Sequence, residues 1–138
     1  MPQDNTTVSF SFENGITLNE TNYANKAKSC VKKLKDDDGG LFGDLTTTKL
    51  RSIYGLIMNI YTKINEPSDF KDHRSDIQYL QVKMAYESGR EQTVKRFINS
   101  TYLLEAVSQI ETYEQFLLYC RYAESLVAYF KFFGGKDK

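Results

Sequence analysis

The run TYEQFLLYCRYAESLVAYFKFFGG, residues 112–135, decides the fold class. It opens on Thr112-Tyr-Glu-Gln115, the spacing of a capping box, in which the Thr hydroxyl and the Gln side chain satisfy each other's backbone amides. Phe116, Cys120, Ala123, Val127 and Phe130 then recur at intervals of four and three, and Leu117 and Leu126 widen the apolar face. Gly134-Gly135 stops the pattern. This spacing predicts one long amphipathic helix whose apolar stripe belongs to a core.

The same period recurs upstream. Arg90 opens a segment that buries Val94, Phe97 and Ile98; Asn99, Ser100 and Thr101 can cap a continuation through Leu103, Leu104, Val107 and Ile110, as a second helix or as one bent helix. Before it, Ser68 or Asp69 starts a helix through Ile77, Leu80, Met84 and Ala85, with Ser88-Gly89 as its stop. Thr46 and Thr47 cap a helix with the stripe Leu50, Ile53, Tyr54, Ile57, Ile60, Tyr61 and Ile64, ended by Asn65-Glu66-Pro67. Gly55 inside that helix costs about 0.5–1 kcal/mol relative to Ala, which predicts a close helix contact there. A first helix is expected over about 20–35, with Asn19 or Thr21 as cap, and the DDDGGLFGD that follows reads as a surface loop. TVSFSF and ITL flank Glu13-Asn14-Gly15 as a local hairpin, marginal by itself. The expected architecture is all-α. A single-domain bundle of about five or six helices occupies 20–138, and residues 1–19 form an N-terminal arm, disordered or hairpin.

At 138 residues, 41% apolar and 14% aromatic, the chain has the makings of one core. Its 18 basic and 18 acidic side chains cancel, so a preference for nucleic acid or anionic membrane has to come from local placement. Cys30 and Cys120 stand too far apart for a metal motif or a small disulfide framework, which points to reduced thiols and a cytoplasmic protein. MPQDNTTVSF lacks the basic start and apolar stretch of a signal peptide, and no run approaches the roughly 18 apolar residues of a membrane span, so no membrane partner is expected.

Nothing in the chain assembles a reaction centre. His73, the sole histidine, lies in the polar stretch KDHRSD and reads as a solvated helix residue; it leaves no ligand set for zinc. No GxSxG elbow, Walker loop or GxGxxG pattern is present. Carboxylate pairs such as Glu111 and Glu114 would need an enclosed pocket for acid–base work. The Tyr and Phe stripes read as core, and only residues off them, such as Phe132 and Phe133, remain candidates for stacking on bases. The expectation is a protein that is not an enzyme and has no cofactor and no metal.

Charge placement is more informative. Helix starts favour anions, because their unpaired amides carry partial positive charge. Here Lys49 and Arg51 follow Thr46-Thr47, and Arg90, with Lys95 and Arg96 a turn later, follows Gly89. An incoming phosphate could meet amides and side chains together at such ends. Solvated surface cations are the alternative, with Glu91 partly offsetting Arg90. KAKSCVKKLK, followed directly by DDD, reads as a charged helix face.

The stretches LTTTKLRSIYGLIMNIY, YLQVKMAYESGREQTVKRFI and FLLYCRYAESLVAYFKFFGGKD, in that order between Leu45 and Asp137, resemble the small subunit of type III-A CRISPR effector complexes. The resemblance implies a non-catalytic all-α bundle, stacked in several copies as an inner filament. Its implied partners are target RNA paired to guide RNA, the backbone and large subunits, and copies of itself. RNA cleavage would belong to the backbone subunit, and DNA cleavage and cyclic oligoadenylate synthesis to the large one. The basic positions inside the matching motifs are Lys49, Arg51, Arg90, Lys95 and Arg121, with Lys131 and Lys136 at the end. The resemblance implies RNA contact through them. Lys and Arg on phosphates would give sequence-independent, salt-sensitive binding. Arg96 and the first forty residues fall outside the match. The alternative is a helical protein–protein adaptor of the same kind of complex, its cations serving partner acids.

Overall fold

The computed structural model describes residues 8–13, 15–37, 39–40 and 42–137. A two-stranded antiparallel hairpin, β1 (Ser9–Ser11) and β2 (Thr17–Asn19), is followed by α1 (Tyr23–Asp37), α2 (Thr47–Tyr61), a 3-10 helix (Pro67–His73), α3 (Arg74–Arg90), α4 (Gln92–Thr101), α5 (Leu103–Val107) and α6 (Tyr113–Phe132). The all-α expectation holds. The central element is α6, packed against both α1 and α2.

The capping box at its start is present: Gln115 N donates to Thr112 Oγ1 at 3.1 Å, and Gln115 Oε1 accepts from the amides of Glu111 and Thr112. Phe116, Tyr119, Ala123, Leu126 and Phe130 line the buried face. Two of its tyrosines hold the α4–α5 break. Tyr102 there has φ 64°, a left-handed conformation unusual for a bulky side chain. A helix interrupted in the interior leaves carbonyls unpaired. Tyr122 Oη donates to Thr101 O and Tyr119 Oη to Leu103 O, each at 2.8 Å. Burial pushes both phenols well above their usual pKa, which keeps them as donors.

The hairpin pairs Phe10 with Leu18, and both are buried, as is Phe12. Gln115 Nε2 and Gln109 Nε2 donate to Ser9 O and Ser11 O, while Gln109 Oε1 accepts the Ser11 amide. Within the segment expected as an arm, residues 8–13 and 15–19 are thus packed on the bundle; residues 1–7 lie outside those described.

Several expectations fail locally. Asn22, not Asn19 or Thr21, directly precedes α1, its carbonyl accepting the Lys26 amide. The DDDGGLFGD loop sends Phe42 into the core, 4.5 Å from the Phe130 ring. A 3-10 helix precedes α3, its start closed by Asp69 Oδ2 on the Asn65 and Glu66 amides. Gly89 does not terminate α3, which runs on to Arg90; Glu91 alone, in extended conformation, separates it from α4. Gly55 makes no close helix contact, since a Cβ added there would meet nothing within 4 Å. Gly135 is the glycine that packing requires: an added Cβ would run into the buried Phe130 ring.

Candidate nucleic-acid interface

The start of α2 gathers hydrogen bonds from its own first turn and from the C-terminal end of the described chain. Thr46, extended, accepts the Lys49 amide through its hydroxyl at 3.2 Å. The next two amides are closed from the other end of the chain. Thr47 N donates to Lys136 O at 2.8 Å, and Thr48 N donates to Asp137 O at 3.4 Å, with Thr48 Oγ1 on the same carbonyl at 2.7 Å. The amides expected to be open for phosphate are therefore engaged by the chain's own tail.

Gly134, at φ 97°, turns the chain back after α6, and Lys35 Nζ anchors the turn at Phe133 O. Lys131 Nζ then reaches Asp137 Oδ1 at 2.8 Å. That hydrogen bond and charge, with smaller pulls from Thr47 and Arg51, hold the Asp137 carboxyl below the usual carboxylate pKa. Lys131, Lys136, Arg51 and Lys49 are thus brought to one end of the bundle, where Asp44, Thr46, Thr48, Lys49 and Lys136 line an open cleft.

Lys49 joins this end to the α3–α4 junction, with Nζ 2.7 Å from Glu91 Oε1 and 3.1 Å from Asp44 O. Arg90 stands beside that junction, but not at a helix start as the sequence suggested. It is the last residue of α3, where a cation complements the helix dipole, and its guanidinium binds Glu87 at 3.1 Å and lies over the Tyr86 ring. Lys95, in the first turn of α4, is exposed, and Arg96 donates to Leu34 O. Arg121 shares the outward stripe of α6 with Glu124, Ala128 and Lys131. Ten residues of helix put it about 15 Å from Lys131 along the axis. No side-chain hydrogen bond or ion pair joins Lys95 or Arg121 to the α2 start among the described residues.

The other candidates separate cleanly. Glu111 and Glu114 are both exposed at the start of α6. His73 is half-buried, Nδ1 2.8 Å from Asp76 Oδ2, which lowers the Asp76 pKa. Among the described residues no group of three or more His, Cys, Asp or Glu could hold a metal ion. Cys30 and Cys120 are free thiols; burial raises both, Cys120 to about 12. Phe132 is 73% exposed and clusters with Tyr129 and Phe133.

Sequence reasoning missed two features. The tail on α2 leaves no local signal, because carbonyls of any residue could accept those bonds. The ridge Tyr79, Val82 and Tyr86 on α3, 57%, 59% and 65% exposed, was legible at positions i, i+3 and i+7, on the face opposite Ile77, Leu80 and Met84. Lys83 and Arg90 lie over its two rings.

Fold and site together define a small helical bundle that carries its polar chemistry as cations, ion pairs and helix caps on an open surface. The profile of the Csm2 type III-A family matches residues 21–136. The chain is 44% identical over 124 residues to the CRISPR system Cms protein Csm2 of Enterococcus italicus, covering 83% of this chain and 89% of that one. It is 39% identical over 120 residues to the protein of the same name from Streptococcus thermophilus, covering 87% and 98%, and 37% identical over 99 residues to that of Mycobacterium tuberculosis, covering 69% and 80%. The chain belongs to the Csm2 family, the small subunit of the type III-A CRISPR complex. No helix among the described residues is long and apolar enough to cross a membrane.

Proposed function

We propose that this subunit is non-catalytic and cytoplasmic, that it binds the phosphate backbone of target RNA paired to guide RNA, and that it packs against backbone and large subunits and copies of itself in a filament. The observation that carries the RNA reading is the convergence of Lys49, Arg51, Lys131 and Lys136 on the start of α2, with Arg90 beside it across the Lys49–Glu91 bridge. Cations gathered on one end can follow a phosphate chain, whereas cations scattered over opposite faces cannot. Lys95 and Arg121 extend the same proposal along α4 and α6. Contacts of this kind read no base edges, so guide pairing carries the specificity.

The adaptor reading draws on a different observation. Lys49, Arg90 and Lys131 are already paired with Glu91, Glu87 and Asp137, and the apolar ridge of α3 stands open. A helix apolar on two faces is normally covered on both, which supports a protein contact there. The decisive experiment is RNA binding by the assembled complex across a salt series, with Lys49→Ala plus Arg51→Ala against the unaltered subunit. Weaker binding, with a salt slope shallower by about 0.7 for each phosphate no longer neutralised, supports the RNA reading. Unchanged affinity and slope favour the adaptor.

A further inference from the structure

We propose that the start of α2 is a phosphate-oxygen site which the chain fills with its own strap, Lys136-Asp137, and that an RNA phosphodiester takes the strap's place. The inference rests on the RNA-binding reading above and names the site and its gate.

The groups that hydrogen-bond the strap are all anion binders. The Thr47 and Thr48 amides, the Thr48 hydroxyl and the Lys131 ammonium all donate, and the strap offers them only oxygens: two carbonyls and one carboxylate. Helix-start amides flanked by cations form the ordinary setting for a phosphate. The strap's two carbonyls on the amides and its carboxylate on Lys131 together stand in for one.

The stand-in fits imperfectly. Thr47 is 5% exposed, and its Oγ1 has no hydrogen-bond partner, although it lies close enough to Asp137 to help stabilise the carboxylate. Thr48 N reaches Asp137 O only at 3.4 Å. A buried hydroxyl left unsatisfied is a standing cost. A tetrahedral group with several oxygens can serve that hydroxyl and the amides together, which one carboxylate tied to Lys131 does not.

The strap is also built to lift. Its near side is fixed, by Lys35 on Phe133 O and by Gly135, whose amide donates to Phe130 O and which packs on the Phe130 ring. Beyond Gly135 the polar hold among the described residues consists of the bonds to Thr47 and Thr48 and one ion pair whose side chains are 57% and 69% exposed. Exposed pairs hold weakly. An occupant that must leave first lowers apparent affinity by the fraction of open sites.

The test measures single-stranded RNA binding to the full chain, across a salt series, for the unaltered protein, Asp137→Asn, Thr47→Val and Arg51→Ala. Asp137→Asn should bind about two- to fivefold tighter, because the lost partner of Lys131 is an exposed one. Thr47→Val should bind more weakly with the fold intact, and RNA should move the amide resonances of Thr47 and Thr48. If the unaltered chain binds RNA and Arg51→Ala weakens it, while Asp137→Asn changes nothing and the two amides stay still, the strap inference is wrong and the RNA reading stands. If RNA binds none of the proteins, and none of these substitutions alters RNA binding in the assembled complex, the RNA reading fails and the strap site fails with it. Should Asp137→Asn disturb folding, the Thr47 and Thr48 amide shifts in the unaltered chain decide the same question.

Discussion

The starts of α6 and α2 solve one problem in two ways. At α6, Thr112 and Gln115 close the first turn from within four residues, with Gln115 also holding the hairpin at Ser9. At α2, Thr46 closes one amide locally, and the rest is left to carbonyls some 89 positions along the chain. A local cap forms whenever its helix forms. A distant one depends on the whole tail being seated, and so can be opened without unfolding the bundle. The first arrangement suits a structural element, and the second suits a place where something else can bind.

The largest expected effect comes from unseating the tail at its root. Gly135→Ala puts a Cβ into the Phe130 ring, which is fully buried and packed against Phe42, so neither side can yield. Overpacking of this kind costs about 1–3 kcal/mol, read as a lowered urea midpoint. Hydrogen exchange should show the Thr47 and Thr48 amides losing protection while Gln115 keeps its own. Equal loss at both helix starts would break the distinction drawn between them.

Thr112→Ala tests the other start. Loss of an N-cap hydroxyl costs about 1 kcal/mol. The loss should spread through α6 and the hairpin, because Gln115 serves both, and should leave RNA affinity unchanged.

The same division explains what the sequence disclosed. Periodicity and caps located α2 and α6 closely, since both signals lie within a turn or two of the residues they govern. Gly89 misled because a glycine can continue a helix as well as end one, and the true break lies at Glu91. The α4–α5 break falls where Asn99, Ser100 and Thr101 offered a cap, but the left-handed turn at Tyr102 was unreadable, because it is held by Tyr119 and Tyr122, residues that α6 delivers from seventeen and twenty positions away. Of the cationic site, the residue types could be read from the motifs, but their pairing could not. Lys49 with Glu91 and Lys131 with Asp137 are meetings made by the fold, and they decide which cations are committed.

Gly55 offers a smaller, opposite effect on α2 itself. It is exposed, with open space where a Cβ would go, so Gly55→Ala should stabilise the isolated chain by about 0.4–1 kcal/mol, seen as a raised melting temperature. A neutral or destabilising result would mean that α2 is less regular than its hydrogen bonds indicate. With Gly135→Ala, the substitution makes a pair of identical chemistry and opposite sign, set only by what surrounds each glycine.

The smallest effect is a pH dependence confined to the α2 start. Lys131 holds the Asp137 carboxyl below its usual value of 3.8, so the carboxylate form favours the seated strap. A group whose pKa is lowered by folding contributes above its unfolded value, and loses that contribution as pH falls through the folded one. The strap should therefore be seated equally well at pH 5 and pH 8, and should loosen as pH drops below about 4. The measurement is the amide shift of Thr48 against pH. It should titrate with a midpoint below 3.8 in the unaltered chain and lose that step in Asp137→Asn, while Gln115 at the α6 start follows neither. A matching titration at Gln115 would mean that acid loosens the whole bundle, and the two helix starts would then differ in wording only.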